Sequence, residues 1–259
     1  MSDITALSFT RFSFSRDGRR LNIWIDTGNP MNPVDEAMHE ELSRLFDAAQ
    51  RDEGSDLVVL SAQGKAFCAG GDFDWMQEMV AKPETFRHMA WDAKRIVMSM
   101  LEMEKPVICR LNGHAAGLGA TIALLCDIII ADESAKIGDP HVKVGLVAGD
   151  GGALIWPQLV GYAKAKELLL TGDMLRAAEA KQLGLINHAV PSEELDENVD
   201  AMCAKILANP QWAVRWTKSV TNIPLRALAA QVMDASGGWE SVSNGLEERR
   251  RIVEAMRKA

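Results

Sequence analysis

Two glycine-rich segments carry residue types and spacings that could do chemistry. The first runs Gly64-Lys65-Ala66-Phe67-Cys68-Ala69-Gly70-Gly71-Asp72-Phe73-Asp74-Trp75, and the second Asn112-Gly113-His114-Ala115-Ala116-Gly117-Leu118-Gly119-Ala120-Thr121. Each follows an apolar run of strand type and opens a helical pattern, so each can present unpaired backbone N–H groups at the positive end of a helix dipole. Glycine permits tight curvature and close approach of a ligand to the backbone. Two such loops on neighbouring strands could aim two N–H groups at one oxygen. That is an oxyanion hole, suited to a thioester carbonyl that becomes an enolate or a tetrahedral intermediate. The plainer alternative is that the glycines only form tight turns. Neither segment matches the dinucleotide fingerprint or a phosphate-binding loop.

The elements that would hold these loops alternate along the chain. Residues 7–26 read as a hairpin, with Leu21, Ile23 and Ile25 at strand spacing after the turn Arg16-Asp17-Gly18-Arg19. Val34, Met38, Leu42, Leu45, Phe46 and Ala49 fall at helical spacing, opened by Asn32-Pro33. Leu57-Val58-Val59-Leu60 is apolar on both faces, as in a covered sheet. A helix from about Glu84 to Met103, a strand at 106–111, a helix and a strand at 127–130 repeat the pattern, which argues for an α/β core over residues 1–190. After Pro191 the reading is all helix, over 192–208, 210–220 and 225–257. This tail, 191–259, reads either as an assembly module or as a cover for the core.

Composition narrows the partners. The chain has 259 residues, 47% hydrophobic, with 28 Lys+Arg against 36 Asp+Glu for a formal net charge of −8. Disorder and a small disulfide scaffold are excluded, and nucleic acid is not expected as a partner because too few cations are available to neutralise phosphates. The four cysteines, at 68, 109, 126 and 203, form no Cys-x-x-Cys pair and read as reduced structural thiols of a cytoplasmic protein. The segment Met1-Ser-Asp-Ile-Thr-Ala has no basic and apolar runs of an export signal, and the apolar stretch 118–131 is too short to span a membrane.

The residues quoted above carry a resemblance. Ala66-Phe67-Cys68-Ala69-Gly70-Gly71-Asp72, then Lys105-Pro106-Val107-Ile108 and Asn112-Gly113-His114-Ala115-Ala116-Gly117-Leu118-Gly119, resemble the crotonase (enoyl-CoA hydratase/isomerase) superfamily. So do Leu125-Cys126-Asp127-Ile128, the run 145–152, Leu170-Thr171-Gly172 and the run 180–187, in consistent order over about residues 7–250. The resemblance implies the crotonase fold, a spiral of ββα repeats forming two roughly perpendicular sheets, followed by a helical region that builds homotrimers or dimers of trimers. It implies an acyl-CoA thioester whose oxygen is held by the N–H groups of Gly71 and Leu118. CoA would lie along the first loop near Ala69, Gly70, Gly71 and Asp72, with Met31 in a second lining stretch and Lys65, Lys82 or Lys143 as candidates for its phosphates. Coenzyme A enters as part of the substrate, and no separate cofactor and no metal is expected.

Members that hydrate enoyl thioesters commonly carry two glutamates. Registration places Thr121 and His141 at those positions, so both carboxylates are replaced. Thr121 can hold a water or a substrate oxygen. His141 can exchange protons near pH 7, or can be a loop histidine bonded to Asp139 or to backbone. Asp150 is the remaining carboxylate of interest, as a proton carrier or as the N-cap of a helix from Gly151. Some isomerases and dehalogenases of the superfamily use an aspartate that registers at Gly149. His114 reads as packing, Asp72 and Asp74 as caps, Arg249-Arg250-Arg251 as a solvated face, and Phe73, Trp75, Met76 and Met79 as core or as an acyl tunnel. The expected function is that of a lyase or isomerase of enoyl-CoA hydratase type, with His141 or Asp150 moving the proton. The alternatives are an acyl-CoA hydrolase, decarboxylase or dehalogenase on the same scaffold, or a non-catalytic acyl-CoA-binding protein.

Overall fold

The computed structural model describes residues 3–257. Strands β1 (Phe12–Asp17) and β2 (Arg20–Ile25) form the expected hairpin. From β2 the chain passes through helix α1 (Glu36–Arg51) to β3 (Leu57–Ala62), which runs parallel to β2. The opening of α1 differs from the expected Asn32-Pro33 signal. Its N-cap is Asp35, whose carboxylate accepts from the Met38 N–H at 2.8 Å. Helices α2 (Phe73–Ala81) and α3 (Phe86–Glu102) lead to β4 (Val107–Leu111), β5 (Ala115–Ala116), α4 (Leu118–Leu125) and β6 (Ile128–Asp132). After β7 (Lys136–Gly138) come α5 (Gly152–Thr171), β8 (Met174–Arg176), α6 (Ala177–Gln182) and β9 (His188–Val190).

Two sheets result. The larger has the order β1-β2-β3-β4-β6-β9, parallel except for the first pair, and the smaller has the order β5-β7-β8. β3 is buried along its whole length, because helices cover both of its faces. On one side Leu42, Leu45, Ile96 and Val97 join Val58 and Leu60 in the main core. On the other, Leu57, Val59, Ile108 and Ile130 meet Leu195, Val199 and Cys203 of α7 (Leu195–Leu207).

The tail continues through α8 (Gln211–Thr221), α9 (Ile223–Asn244) and α10 (Glu247–Met256). The single helix expected over 225–257 is thus two. Leu246 is extended, with φ −77° and ψ 145°, so α10 turns back toward α2 and the segment after Pro140. Ala229 and Met233 of α9 enter the main core. The four cysteines are free and buried. Among the described residues no helix is long and apolar enough to cross a membrane.

Candidate active site

The two glycine loops meet because backbone hydrogen bonds and close packing join them. The Cys68 N–H donates to the His114 carbonyl at 3.1 Å, and the Ala116 N–H donates to the Cys68 carbonyl at 2.9 Å. At Gly119 a Cβ would lie 2.6 Å from Cys68 Cβ and 2.8 Å from the Cys68 carbonyl oxygen, so only glycine lets α4 start this close to the first loop. Asn32 fastens the turn before α1 to the same loop. Its amide donates to the carbonyls of Gln63 at 2.6 Å and Ala66 at 3.0 Å.

This arrangement leaves two backbone N–H groups without a backbone acceptor in residues that line one cavity. Gly71 pairs with Val34 in a parallel bridge in which Gly70 supplies the accepting carbonyl and Asp72 the donating N–H. Alternation along an extended chain therefore turns the Gly71 N–H away from Val34. Leu118 is the first residue of α4, where an N–H has no intrahelical acceptor. Among the described residues neither group donates to a protein carbonyl. Gly71 and Leu118 both line a cavity of about 220 Å³.

The cavity has an apolar end and an ionisable one. Trp75, Met76, Met79, Phe86 and Met89 line the first, where Met76, Met79 and Phe86 form a cluster apart from the main core. Phe73 and Trp75 pack against that cluster, Trp75 also packs against the main core, and Phe73 does not line the cavity, so the stretch combines both readings. His39 also lines the cavity, and burial lowers its imidazole to about 4.

At the other end, sequence-distant groups converge in a chain. His141 stands between two carboxylates, with Nδ1 in a very short contact with Asp139 Oδ1 and Nε2 3.5 Å from Asp150 Oδ2. Thr121 Oγ1 donates to Asp150 Oδ1 at 3.3 Å, and the Gly152 N–H reaches the same oxygen at 3.4 Å. Gly117, at φ +55°, lies against the ring, since a Cβ there would be 3.2 Å from His141 Cε1. Burial opposes the charge on His141, but Asp139 and Asp150 outweigh it and raise the imidazole well above its ordinary range. Burial raises Asp150, partly offset by His141.

The other expected site residues fall as follows. Thr121 is fully buried and its hydroxyl is engaged with Asp150 instead of facing the cavity. Asp72 caps α2 through Asp74 N and Trp75 N, and its own N–H is taken by Val34. Ala69 is exposed at the cavity's rim, with its N–H donating to the Met31 carbonyl at 3.0 Å. Met31 is exposed and abuts the loop through that bond without lining the cavity. Lys82 pairs with Glu78 and Lys143 with Asp173, while Lys65 is exposed.

Four readings are corrected. His114 is exposed, and its Nδ1 accepts from the Lys136 N–H at 3.0 Å, so it is not a packing residue. Asp150 stands before the N-cap, Gly151, and makes only the long contact to Gly152, so capping is not its main engagement. No metal-ligand cluster is visible along the chain, yet folding brings Asp139, His141 and Asp150 ligand atoms within 4.8 Å of one another. Both imidazole nitrogens there already face carboxylates, which fits a proton chain better than a cation site. Arg249 is not solvated. It is fully buried against the Val144 carbonyl, and its Nε and Nη2 have no partner among the described residues.

One cavity residue was not anticipated. Glu240 of α9 joins His141 and Asp150 in the lining. Only an acidic residue inside a predicted tail helix marks it in the sequence, well over a hundred positions from either loop.

Comparison with known proteins agrees with this architecture. The family model described as Enoyl-CoA hydratase/isomerase matches residues 21–241. A crotonyl-CoA hydratase of Syntrophomonas wolfei is 33% identical over 217 residues, covering 83% of each chain. The crystal structure of an enoyl-CoA hydratase/isomerase from Mycobacterium paratuberculosis superimposes with a TM-score of 0.91 at 36% identity, covering 95% of this chain and 98% of that one. A β-diketone hydrolase from the cyanobacterium Anabaena, bound to (S)-3-oxocyclohexyl acetic acid, gives a TM-score of 0.86 at 26% identity, covering 92% of this chain and 95% of that one.

Proposed function

This chain belongs to the enoyl-CoA hydratase/isomerase family, and from that premise we propose that it moves a proton on the acyl chain of a CoA thioester through an enolate. It is an acyl-CoA-processing enzyme of the lyase or isomerase type. The Gly71 and Leu118 N–H groups polarise the thioester oxygen and hold the negative charge that develops there. The His141–Asp150 pair carries the proton. Asp150, raised by burial, is a stronger base than an ordinary carboxylate, and the imidazole oriented by Asp139 shares its proton. The observation that carries this reading is the Asp139–His141–Asp150 chain opening onto the same cavity as the two free N–H groups.

The substrate's acyl end would lie among Trp75, Met76, Met79 and Phe86, with CoA leaving past Ala69 and Gly70. Coenzyme A is part of the substrate, and the reaction as proposed moves protons only. The exposed Trp212, Trp216, Trp239, Val242 and Leu246 of the tail fit burial of parts of its surface between copies in a homotrimer or a dimer of trimers. Four free buried thiols fit a cytoplasmic setting.

Steady-state kinetics on a panel of 2-enoyl, 3-enoyl and 3-hydroxyacyl thioesters test the reading. His141→Ala and Asp150→Asn should each lower kcat by about 10²–10⁴-fold while leaving CoA affinity nearly intact. The bound thioester should show a red-shifted carbonyl band. An unshifted band would count against the Gly71/Leu118 hole. Binding with no turnover of any panel member would favour the non-catalytic binder. A second reading rests on the same chain of groups, which could also activate water for hydrolysis of a 1,3-dicarbonyl, as the name of the Anabaena β-diketone hydrolase suggests. Cleavage of such a compound without isomerisation of any enoyl thioester would select it.

A further inference from the structure

We propose that Glu240 of α9 is a third proton-transfer residue of this site, delivering a proton to the substrate's carbon chain while the His141–Asp150 pair removes one. The proposal rests on the function argued above.

Its position comes first. Glu240 lies in the cavity wall with Gly71, Leu118, His141 and Asp150, and the whole residue is 7% exposed. It reaches that wall because residue 149 has no side chain. A Cβ on Gly149 would lie 2.5 Å from the Ser236 carbonyl, 2.6 Å from Glu240 Cβ and 2.7 Å from Glu240 Oε2. The carboxyl of α9 therefore occupies the volume that a side chain beside Asp150 would fill. Ser243 holds this register, its Oγ accepting from the Val147 N–H at 3.2 Å and donating to the Glu240 carbonyl at 2.8 Å.

Its lack of partners comes second. Among the described residues, no protein donor makes a hydrogen bond or ion pair with the Glu240 carboxyl, although acidic side chains buried for structural reasons are almost always paired. The cavity is the one direction left for it. The groups facing it are His141, Asp150 and Asp139 across the cavity and Arg249 from α10. Burial, then repulsion by Asp150 and Asp139, pushes Glu240 up to about 8 against the pull of His141 and Arg249. It therefore holds a proton at neutral pH, the form that donates.

In migration of a double bond from a 3-enoyl to a 2-enoyl thioester, the Cα–H bond breaks and its proton passes to the Asp150 carboxylate. The electron pair moves toward the thioester oxygen at Gly71 and Leu118. The dienolate then forms a C–H bond at Cγ with the Glu240 proton, and the thioester carbonyl is restored. Glu240 is left as a carboxylate, with Arg249 and His141 as the cations near it. Return of the proton from Asp150 to Glu240 across the cavity that both line resets the site, with no net change in protons or electrons.

The test compares two reactions in D2O for wild type, Glu240→Gln and Glu240→Asp. Exchange of the Cα hydrogens of butyryl-CoA needs only the N–H pair and the His141–Asp150 pair. Isomerisation of 3-enoyl-CoA needs Glu240 as well. In Glu240→Gln, isomerisation should fall about 10²-fold, exchange should fall far less, and the alkaline limb of the kcat profile near pH 8 should vanish. Glu240→Asp, which keeps the acid but withdraws it, should recover part of the rate. Wild-type isomerisation in Glu240→Gln with its alkaline limb intact would overturn the proposal, as would equal loss of both reactions. A wild-type enzyme that neither exchanges nor isomerises would instead overturn the function on which it rests.

Discussion

At the scale of single residues the site is a balance of charge in a place with little water. His141 faces Asp139, Asp150 and Glu240, and Asp139 and Asp150, with Glu240 once it is ionised, raise the imidazole against the opposing effect of burial. Asp139→Asn removes the group in short contact with Nδ1. The His141 titration followed by NMR should move toward lower pH, and kcat should fall by about 10²–10⁴-fold with little change in KM. An unmoved titration would mean that Asp139 does not set the imidazole's charge. The two glycine loops were legible in the sequence as a local pattern, whereas Gly71, Leu118 and His141 were singled out by the resemblance and Asp150 by its place at the start of a helical pattern. Glu240 and Arg249 were not. Both sit on helices whose surroundings are set by how α9 and α10 return to the core, and no local spacing records that return.

At the scale of elements, the first four strands of the large sheet and the helices between them could be read from periodicity, since each is long enough to show a period. β5, β7, β8 and β9 have two or three residues each, too few for any alternation, and the smaller sheet was implied by resemblance alone. The break between α9 and α10 escaped because the helical pattern continues across Gly245 and Leu246. The contact that matters most for the site is between α4 and the first loop. Gly119→Ala would place a methyl carbon within 2.8 Å of a backbone oxygen at Cys68, which cannot move without shifting Gly70 and Gly71. Overpacking of this kind costs about 1–3 kcal/mol. Thermal unfolding should register that loss, and the carbonyl shift of bound thioester should shrink because the two N–H groups no longer converge. A variant with wild-type stability and an undiminished shift would show that the loops tolerate separation here.

At the scale of the whole molecule the same cavity should govern how stability depends on pH. Burial would raise Asp52 and Asp132, but hydrogen bonds from Arg16 and Ser55 to Asp52, and from Ser134 and Ser192 to Asp132, hold both below the usual carboxylate range. Asp56 is held down chiefly by Arg19. Their stabilisation is complete above the unfolded value near 3.8 and is lost as pH falls through the folded values. The cavity groups work in the opposite sense. His141, Asp150 and Glu240 all bind protons more tightly folded than unfolded, so their contribution is present at low pH and lost as pH rises. For Glu240 the window runs from the ordinary 4.5 to about 8. That shift corresponds to a total loss on the order of 5 kcal/mol. His39, lowered to about 4 by burial, works the other way up to its ordinary 6.5 and offsets Glu240 below that pH, so the midpoint of unfolding should fall mainly between pH 6.5 and 8. Calorimetry of the unliganded protein across pH 4–9 measures this directly. In Glu240→Gln the acid limb should be unchanged and the fall at higher pH should be shallower, because Asp52, Asp56 and Asp132 and their hydrogen-bond partners are untouched. A wild-type midpoint that stays level or climbs between pH 6.5 and 8 would mean that the buried acids titrate at ordinary values, and the cavity would then be far wetter than its burial indicates.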